Sequence, residues 1–372
     1  MFVFVCAGCG TQLTTALSQV ALPVHAHQTF GNGLQLPVLM EPGTFAVNPE
    51  PWGPPWRRWE EIHPDEAAAR GVHAPVPALS DGAPGAAVIA PGDARATVLV
   101  PEHRGGGYCC GLDGGGGPNV ACAECSLPVA SRIDDCSLWQ AMWLAPDAVR
   151  RHPAGEAAVA PLSWTELMAE GKGTPPYAPI AAWASRTAVG HWSNYSWSWS
   201  PQWVAAAGQA LAHLLVASQG QPVIVPDGLV GEVFQRTLDA MLPARPQARR
   251  AVLAGPGRPA PDEGADILLV PSHPRTGEVW APDASAAYLV PLPFGVWLRM
   301  LLPESGLPGP APLPVSGGLP DGVLRDDFDW PACRPRHTFE VDWAVFQHTL
   351  VRLPAVRSPW LRDVVESFRR GC

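Results

Sequence analysis

Lysine is nearly missing from this chain of 372 residues, with Lys172 alone against 24 arginines. Charge is scarce in general, at 16% of residues, where about 25% is usual for a soluble protein. The net charge is −9, and the arginine pairs (Arg57 and Arg58, Arg150 and Arg151, Arg249 and Arg250, Arg369 and Arg370) are scattered. A protein held to nucleic acid by phosphate contacts needs a basic footprint, so nucleic acid is not an expected partner. No run of about 18 apolar residues occurs, and no membrane span is expected. Met1 to Val5 are apolar but too few for a signal h-region, and no basic segment leads them. A coiled coil and a collagen-like chain are excluded by the absence of their repeats.

What is present is apolar and aromatic. Hydrophobic residues make up 47%, and there are 16 tryptophans. Gly 37 and Pro 44 approach the level at which order is doubted, but so many indoles supply apolar contact that a disordered chain could not use. Glycine and proline also gather in residues 49–56, 105–118 and 303–322, which leaves the rest free to pack. The length suggests two domains, or one core with appendages. Arg, Ala, Pro and Gly in place of Lys fit the coding bias of a GC-rich bacterial genome, a mutational cause rather than a functional one.

The chain divides into four parts. Residues 1–136 read as a strand-rich, zinc-binding region, with a hairpin over Ala86 to Pro101 around Pro91-Gly92-Asp93 and a packed Trp/Pro loop at 49–60. Residues 137–302 read as helical and α/β. Asp134 and Asp135 can cap a helix over Ser137 to Leu144, and Ser163 with Glu166 forms a capping box. A longer helix runs from Ser200-Pro201 to near Gly220. Strands at Pro222 to Pro226, Ala251 to Ala254 and Asp266 to Val270, with a helix over Gly228 to Leu242 capped by Asp227, make a βαβ-like unit. Residues 303–336 read as a Pro/Gly-rich linker, and 337–372 as two helices, Val341 to Leu353 and Pro359 to Arg370. The fold class is therefore α+β or α/β: a zinc-knuckle, strand-rich N-terminal half and a small α/β C-terminal half with a helical tail.

Nine cysteines include two CxxC pairs, Cys6 with Cys9 and Cys122 with Cys125. Each pair has the layout of a zinc knuckle, with a small residue after the second Cys where the turn is tight. Two knuckles supply the four thiolates of a closed tetrahedral site. Over these residues alone the chain resembles zinc-ribbon proteins. It departs from them in the separation of the knuckles, since residues 10–121 lie between, far more than such ribbons have. Cys109 and Cys110 are alternative ligands because they lie close to Cys122. A redox role for a single CxxC needs a strand–helix context, and Gly10-Thr11 starts a helix poorly. With no leader and an odd number of thiols, a cytoplasmic setting with reduced cysteines is expected.

Several other residues carry chemistry, each beside a plainer reading. Cys109, Cys110 and Cys136 are left over, near His103, Asp113, Asp134 and Asp135, and one of them, Cys136 above all, could be a nucleophile, or a buried small hydrophobe beside helix caps. His25 and His27 share a face if their segment is a strand, which suits a metal given a third ligand such as His103 or His73. Otherwise they are two hydrogen-bonded histidines. At the strand ends of the α/β unit, Arg258 and Arg275 with Ser272 could clamp an anion while His273 or Asp227 acts in acid–base catalysis. The plainer reading is turn chemistry. His191, Trp192, Tyr195, Trp197, Trp199 and Trp203 are either an exposed stacking face or core. The expected function is an intracellular protein with a structural zinc that binds a protein partner or a small anionic ligand in an interaction or regulatory role. The alternative is a hydrolase or transferase acting on a small anionic substrate at those strand ends.

Overall fold

A computed structural model of the chain describes residues 1–29, 36–100, 111–136, 138–155, 160–170, 178, 180–188, 191–259, 264–283, 286–301 and 338–370. The side chains of 170, 181–198 and 368–370 are outside that description, as are Cys109, Cys110, His103 and the whole of the 303–336 linker. The fold is mixed, with both helices and sheets. Among the described residues no helix is long and apolar enough to cross a membrane.

The N-terminal half follows from alternation with a period of two. Its strands are β1 (Phe2–Cys6), β2 (Ser18–Gln19), β3 (Thr44–Val47), β4 (Trp56–Arg58), then after helix α1 (Pro64–Ala69), β5 (Ala78–Ser80), β6 (Ala87–Ile89), β7 (Thr97–Leu99), β8 (Val120–Cys122), β9 (Pro128–Ile133), β10 (Ala141–Leu144) and β11 (Val149–Pro153). Seven of them form one sheet in the order β2-β3-β6-β10-β9-β8-β7. One face carries Phe45, Ala87, Ile89, Met142 and Leu144 into a core with Phe4, Leu13 and Leu17. The other carries Ala46, Val88, Ala141 and Trp143 into a second core with Leu39, Met40 and Trp139. With both faces covered, a central strand has no polar side to show, so β6 and β10 are apolar throughout.

Two expectations are corrected here. The stretch Ala86 to Pro101 is not a hairpin: β6 pairs with β3 and β10, and β7 pairs with β8 at the far edge of the sheet. Pro91-Gly92-Asp93 is a 3-10 turn that leads the chain across the sheet, and the buried Asp93 fixes it by accepting bonds from the Thr15 hydroxyl and the Gly43 N–H. Ala141 to Leu144, expected in a helix, is the central strand β10. Ala, Met and Leu favour helix locally, but burial between β6 and β9 decides the state.

The C-terminal half contains α2 (Trp164–Glu170), the hairpin β12 (Ala181–Ala188) and β13 (His191–Trp199), α3 (Pro201–Ser218), β14 (Val223–Ile224), α4 (Leu229–Met241), β15 (Arg249–Leu253), β16 (Ile267–Ser272), β17 (Tyr288–Pro293), α5 (Phe294–Leu301), α6 (Trp343–Leu350) and α7 (Pro359–Arg370). Strands β14 to β17 form a parallel four-stranded sheet in sequence order, so the βαβ-like unit is present and is extended by a strand the sequence did not signal. The capping box holds as expected: the Ser163 N–H donates to Glu166 Oε2 at 2.7 Å, and the Glu166 N–H donates to Ser163 Oγ at 3.3 Å. Asp227 does not cap α4, since Gly228 is the N-cap and no side chain bonds there. Helix α3 is apolar nearly all round because it runs through the core, with Trp203, Leu211, Leu214 and Leu215 fully buried.

Strand pairing and core packing both cross residue 136. β1 takes its partner from β11, which ends at Pro153. Conversely Ile62, Ala67, Val72, Ala74 and Leu79, around α1, pack into the core of the C-terminal half. The His73 N–H donates to the Val351 carbonyl at 2.7 Å.

Candidate metal centre

Two turns of the same construction bring four thiols together. Cys6 closes β1 and Cys122 closes β8. In each turn the first cysteine N–H donates to the carbonyl five residues on, Cys6 to Thr11 at 2.8 Å and Cys122 to Leu127 at 2.9 Å. In each turn the residue four along donates back, Gly10 to the Cys6 carbonyl and Ser126 to the Cys122 carbonyl, both at 2.9 Å. Gly10 (φ 79°) and Ser126 (φ 60°) are both left-handed, which is the physical reason for a small residue after each second cysteine.

The four sulfurs all lie within 4.8 Å of one another. Cys6 Sγ is 3.5 Å from Cys125 Sγ, and Cys9 Sγ is 3.6 Å from Cys122 Sγ. Four thiolates at about 2.3 Å from one ion stand about 3.8 Å apart along a tetrahedron edge, so the cluster fits a metal ion. Cys6 and Cys122 are buried beside Leu13 and Val120, while Cys9 and Cys125 are exposed. Hydrogen bonding with the Thr11 side chain, then its backbone, lowers Cys9 to about 6. The Leu127 backbone favours the Cys125 thiolate, but its bonds with Cys6, Cys9 and Cys122, together with desolvation, outweigh this and push Cys125 up to about 12.

The remaining sequence candidates are placed differently. His25 and His27 lie on a 3-10 turn, Val24–His27, not on a strand, and their rings take separate partners. His25 packs on Trp139 at 4.4 Å, and His27 stacks on His348 at 3.8 Å and 16°. Burial lowers His25 to about 4 against a bond with the Leu39 backbone. Burial first, then the charges of His348 and Arg352, lowers His27 to about 3 against the pull of Glu50. Sequence reading missed this cluster, because Glu50, His348 and Arg352 carry no local motif. Arg352 donates to both Glu50 carboxylate oxygens at 2.5 Å, and His348 Nε2 is 3.6 Å from Glu50 Oε2.

At the carboxyl ends of adjacent parallel strands stand Asp227, Arg258 and the run Ser272-His273 with Arg275. His273 is buried and fully engaged. Its Nδ1 accepts the N–H groups of Arg275 at 3.1 Å and Thr276 at 3.2 Å, and Nε2 donates to the Leu162 carbonyl at 2.9 Å. Two donors on Nδ1 fix the tautomer, and the ring braces a turn through these three bonds. Asp227 and Arg258 are exposed, and Arg275 and Ser272 are half-buried. Among the described residues no hydrogen bond or ion pair joins these four side chains to one another. Cys136 is buried and outside any disulfide. Its acidic neighbours are structural, since Asp135 Oδ2 accepts the Gly111 N–H and Asp134 pairs with Arg132. Trp199 packs edge-on to Phe339 at 4.9 Å, and the buried Trp203 donates Nε1–H to the Ala178 carbonyl, which places that end of the aromatic run in the core. The side chains of Trp192, Tyr195 and Trp197 lie outside the described residues. No protein-family model, no curated protein and no solved structure matches this chain.

Proposed function

We propose that the chain is an interaction protein whose first strand is clipped by one structural zinc ion, held by Cys6, Cys9, Cys122 and Cys125. The observation that carries this is the matched hydrogen bonding of the two turns, which aims two thiols from each at a common centre. An all-thiolate tetrahedral set selects zinc or iron among common metals. A closed set leaves no position for substrate, so the ion stabilises and does not catalyse. Its effect is to tie the N-terminal strand to a turn more than a hundred residues later. With catalysis absent there, the remaining surface serves a protein partner.

A second reading keeps a small anionic ligand or substrate at the strand ends of the parallel sheet. It is favoured by Arg258 and Arg275 on neighbouring turns. Metal analysis of the purified protein tests the first reading: about one zinc per chain is expected, lost in Cys122→Ser. A coloured, iron-loaded protein, or one without metal, overturns it. Isothermal titration with inorganic phosphate tests the second. Binding that is abolished by Arg258→Ala with Arg275→Ala supports it, and no binding overturns it.

A further inference from the structure

The Cys125 thiol engages Cys6, Cys9 and Cys122 alike, and the two sulfur–sulfur contacts at 3.5 and 3.6 Å join one turn to the other. They run crosswise, Cys6 with Cys125 at 3.5 Å and Cys9 with Cys122 at 3.6 Å. Each crosswise pair joins an exposed cysteine to a buried one, and each joins one turn to the other. We propose that the metal clip is also a thiol redox site, in which a peroxide replaces the zinc by two crosswise disulfides, Cys6–Cys125 and Cys9–Cys122. This rests on the zinc reading.

The chemistry balances with hydrogen peroxide as the only oxidant. An exposed thiolate, Cys9 or Cys125, attacks one peroxide oxygen, the O–O bond breaks, and sulfenic acid and hydroxide form. The buried thiolate across the clip attacks that sulfur, the S–S bond forms, and a second hydroxide leaves. Two such events oxidise four thiolates, reduce two peroxides to four waters with four protons taken up, and release one Zn²⁺. Exposure decides which sulfur meets the oxidant, and the buried partner resolves it. Each pair must close by about 1.5 Å to reach disulfide length.

The crosswise pattern has a consequence that pairing within each turn lacks. Disulfides Cys6–Cys9 and Cys122–Cys125 would leave the two turns unlinked once zinc departs. Crosswise disulfides keep the end of β1 joined to the end of β8, so the clip stays fastened through metal loss.

The zinc-loaded full-length protein, treated with hydrogen peroxide in steps, provides the test. Zinc release is read with a chromogenic chelator, and disulfides are read by non-reducing peptide mapping. About one zinc released for every two peroxides consumed, with Cys6–Cys125 and Cys9–Cys122 as the linked peptides, is the expected result. Reduction with added zinc then restores the starting state. Linkage within each CxxC, linkage to Cys109, Cys110 or Cys136, or sulfinic acid in place of disulfide overturns the redox proposal while leaving the zinc reading intact. Protein purified without zinc overturns the zinc reading, and this proposal with it.

Discussion

At the scale of single residues, several positions are fixed by what stands beside them. A Cβ added to Gly208, in the middle of α3, would lie 2.4 Å from the Asp342 carbonyl oxygen. Helix propensity alone favours alanine there by about 1 kcal/mol, but the contact is with backbone at the entry of α6, which cannot swing aside. Gly208→Ala is therefore expected to lower unfolding free energy by about 1–3 kcal/mol, read by urea denaturation. A stabilised variant would show that α3 and α6 are not in this contact. Gly255 has the same logic, since its Cβ would meet the Trp297 ring at 2.2 Å, a ring held by its Nε1–H bond to the Ala254 carbonyl. Neither glycine differs in sequence from one that merely turns the chain. His273 is a related case. Its place after a strand is compatible with acid–base chemistry, and the three hydrogen bonds that brace its ring come from positions no local pattern announces.

At the scale of elements, local chemistry was legible wherever it acts within a few residues. The capping box at Ser163, proline at the start of α3, the α4 helix and the last helix from Pro359 could all be read directly, because turn and cap bonds span three or four positions. The strands β10 and β17 could not, because their state is set by distant neighbours. A different kind of device stabilises β8 against β9, where the register shifts between Val120 and Ala121. The buried Asn119 donates Nδ2–H to the Arg132 carbonyl at 2.9 Å and accepts the Arg132 N–H on Oδ1 at 2.7 Å. Its amide thus stands in for a missing strand neighbour. Asn119→Ala leaves both Arg132 backbone groups unpaired and should cost about 1–3 kcal/mol. Hydrogen exchange would show it as faster exchange at the Arg132 amide, and unchanged exchange there would refute the role.

At the scale of the whole molecule, the two halves meet through a polar cluster with a definite response to acid. The Val24–His27 turn brings His27, with His25 packed beside it on Trp139, the start of the Trp/Pro loop brings Glu50, and α6 with the residues after it brings His348 and Arg352. Asp342, at the start of α6, hydrogen-bonds with Gln28, and burial raises its carboxyl. Burial lowers His348, helped by Arg352 and opposed by Glu50. Burial alone would raise Glu50, but hydrogen bonds from His348 and Arg352 hold it well below the usual carboxylate range. His25, at about 4, and His27, at about 3, lie below the 6.5 of an unfolded histidine. The unfolded chain therefore binds more protons than the folded one as pH falls below about 6.5. The stability is fully present above that pH and is lost on acidification toward the folded values, at about 1.4 kcal/mol per pH unit for each such histidine. Urea denaturation at pH 7.5, 6.5 and 5 should show this decline. In His27→Gln the slope between pH 6.5 and 5 should be shallower by about 1.4 kcal/mol per unit. Proton competition for the cysteines acts on both proteins alike, so equal slopes would remove His27 from the account.

Local residue patterns announce the two CxxC turns, most of the helices and the presence of a parallel α/β unit. Each of these depends on residues a few positions apart, where backbone geometry is already set by caps, glycines and periodic apolar side chains. The sequence suggests that the two turns share one ion but does not place them. The tertiary structure decided the meeting of Cys6 and Cys9 with Cys122 and Cys125, the order of the seven strands, and the pairing of Glu50 with Arg352 across most of the chain. These depend on which apolar faces are buried against each other. Burial is non-directional and roughly proportional to area, so no short segment carries the identity of its distant partner.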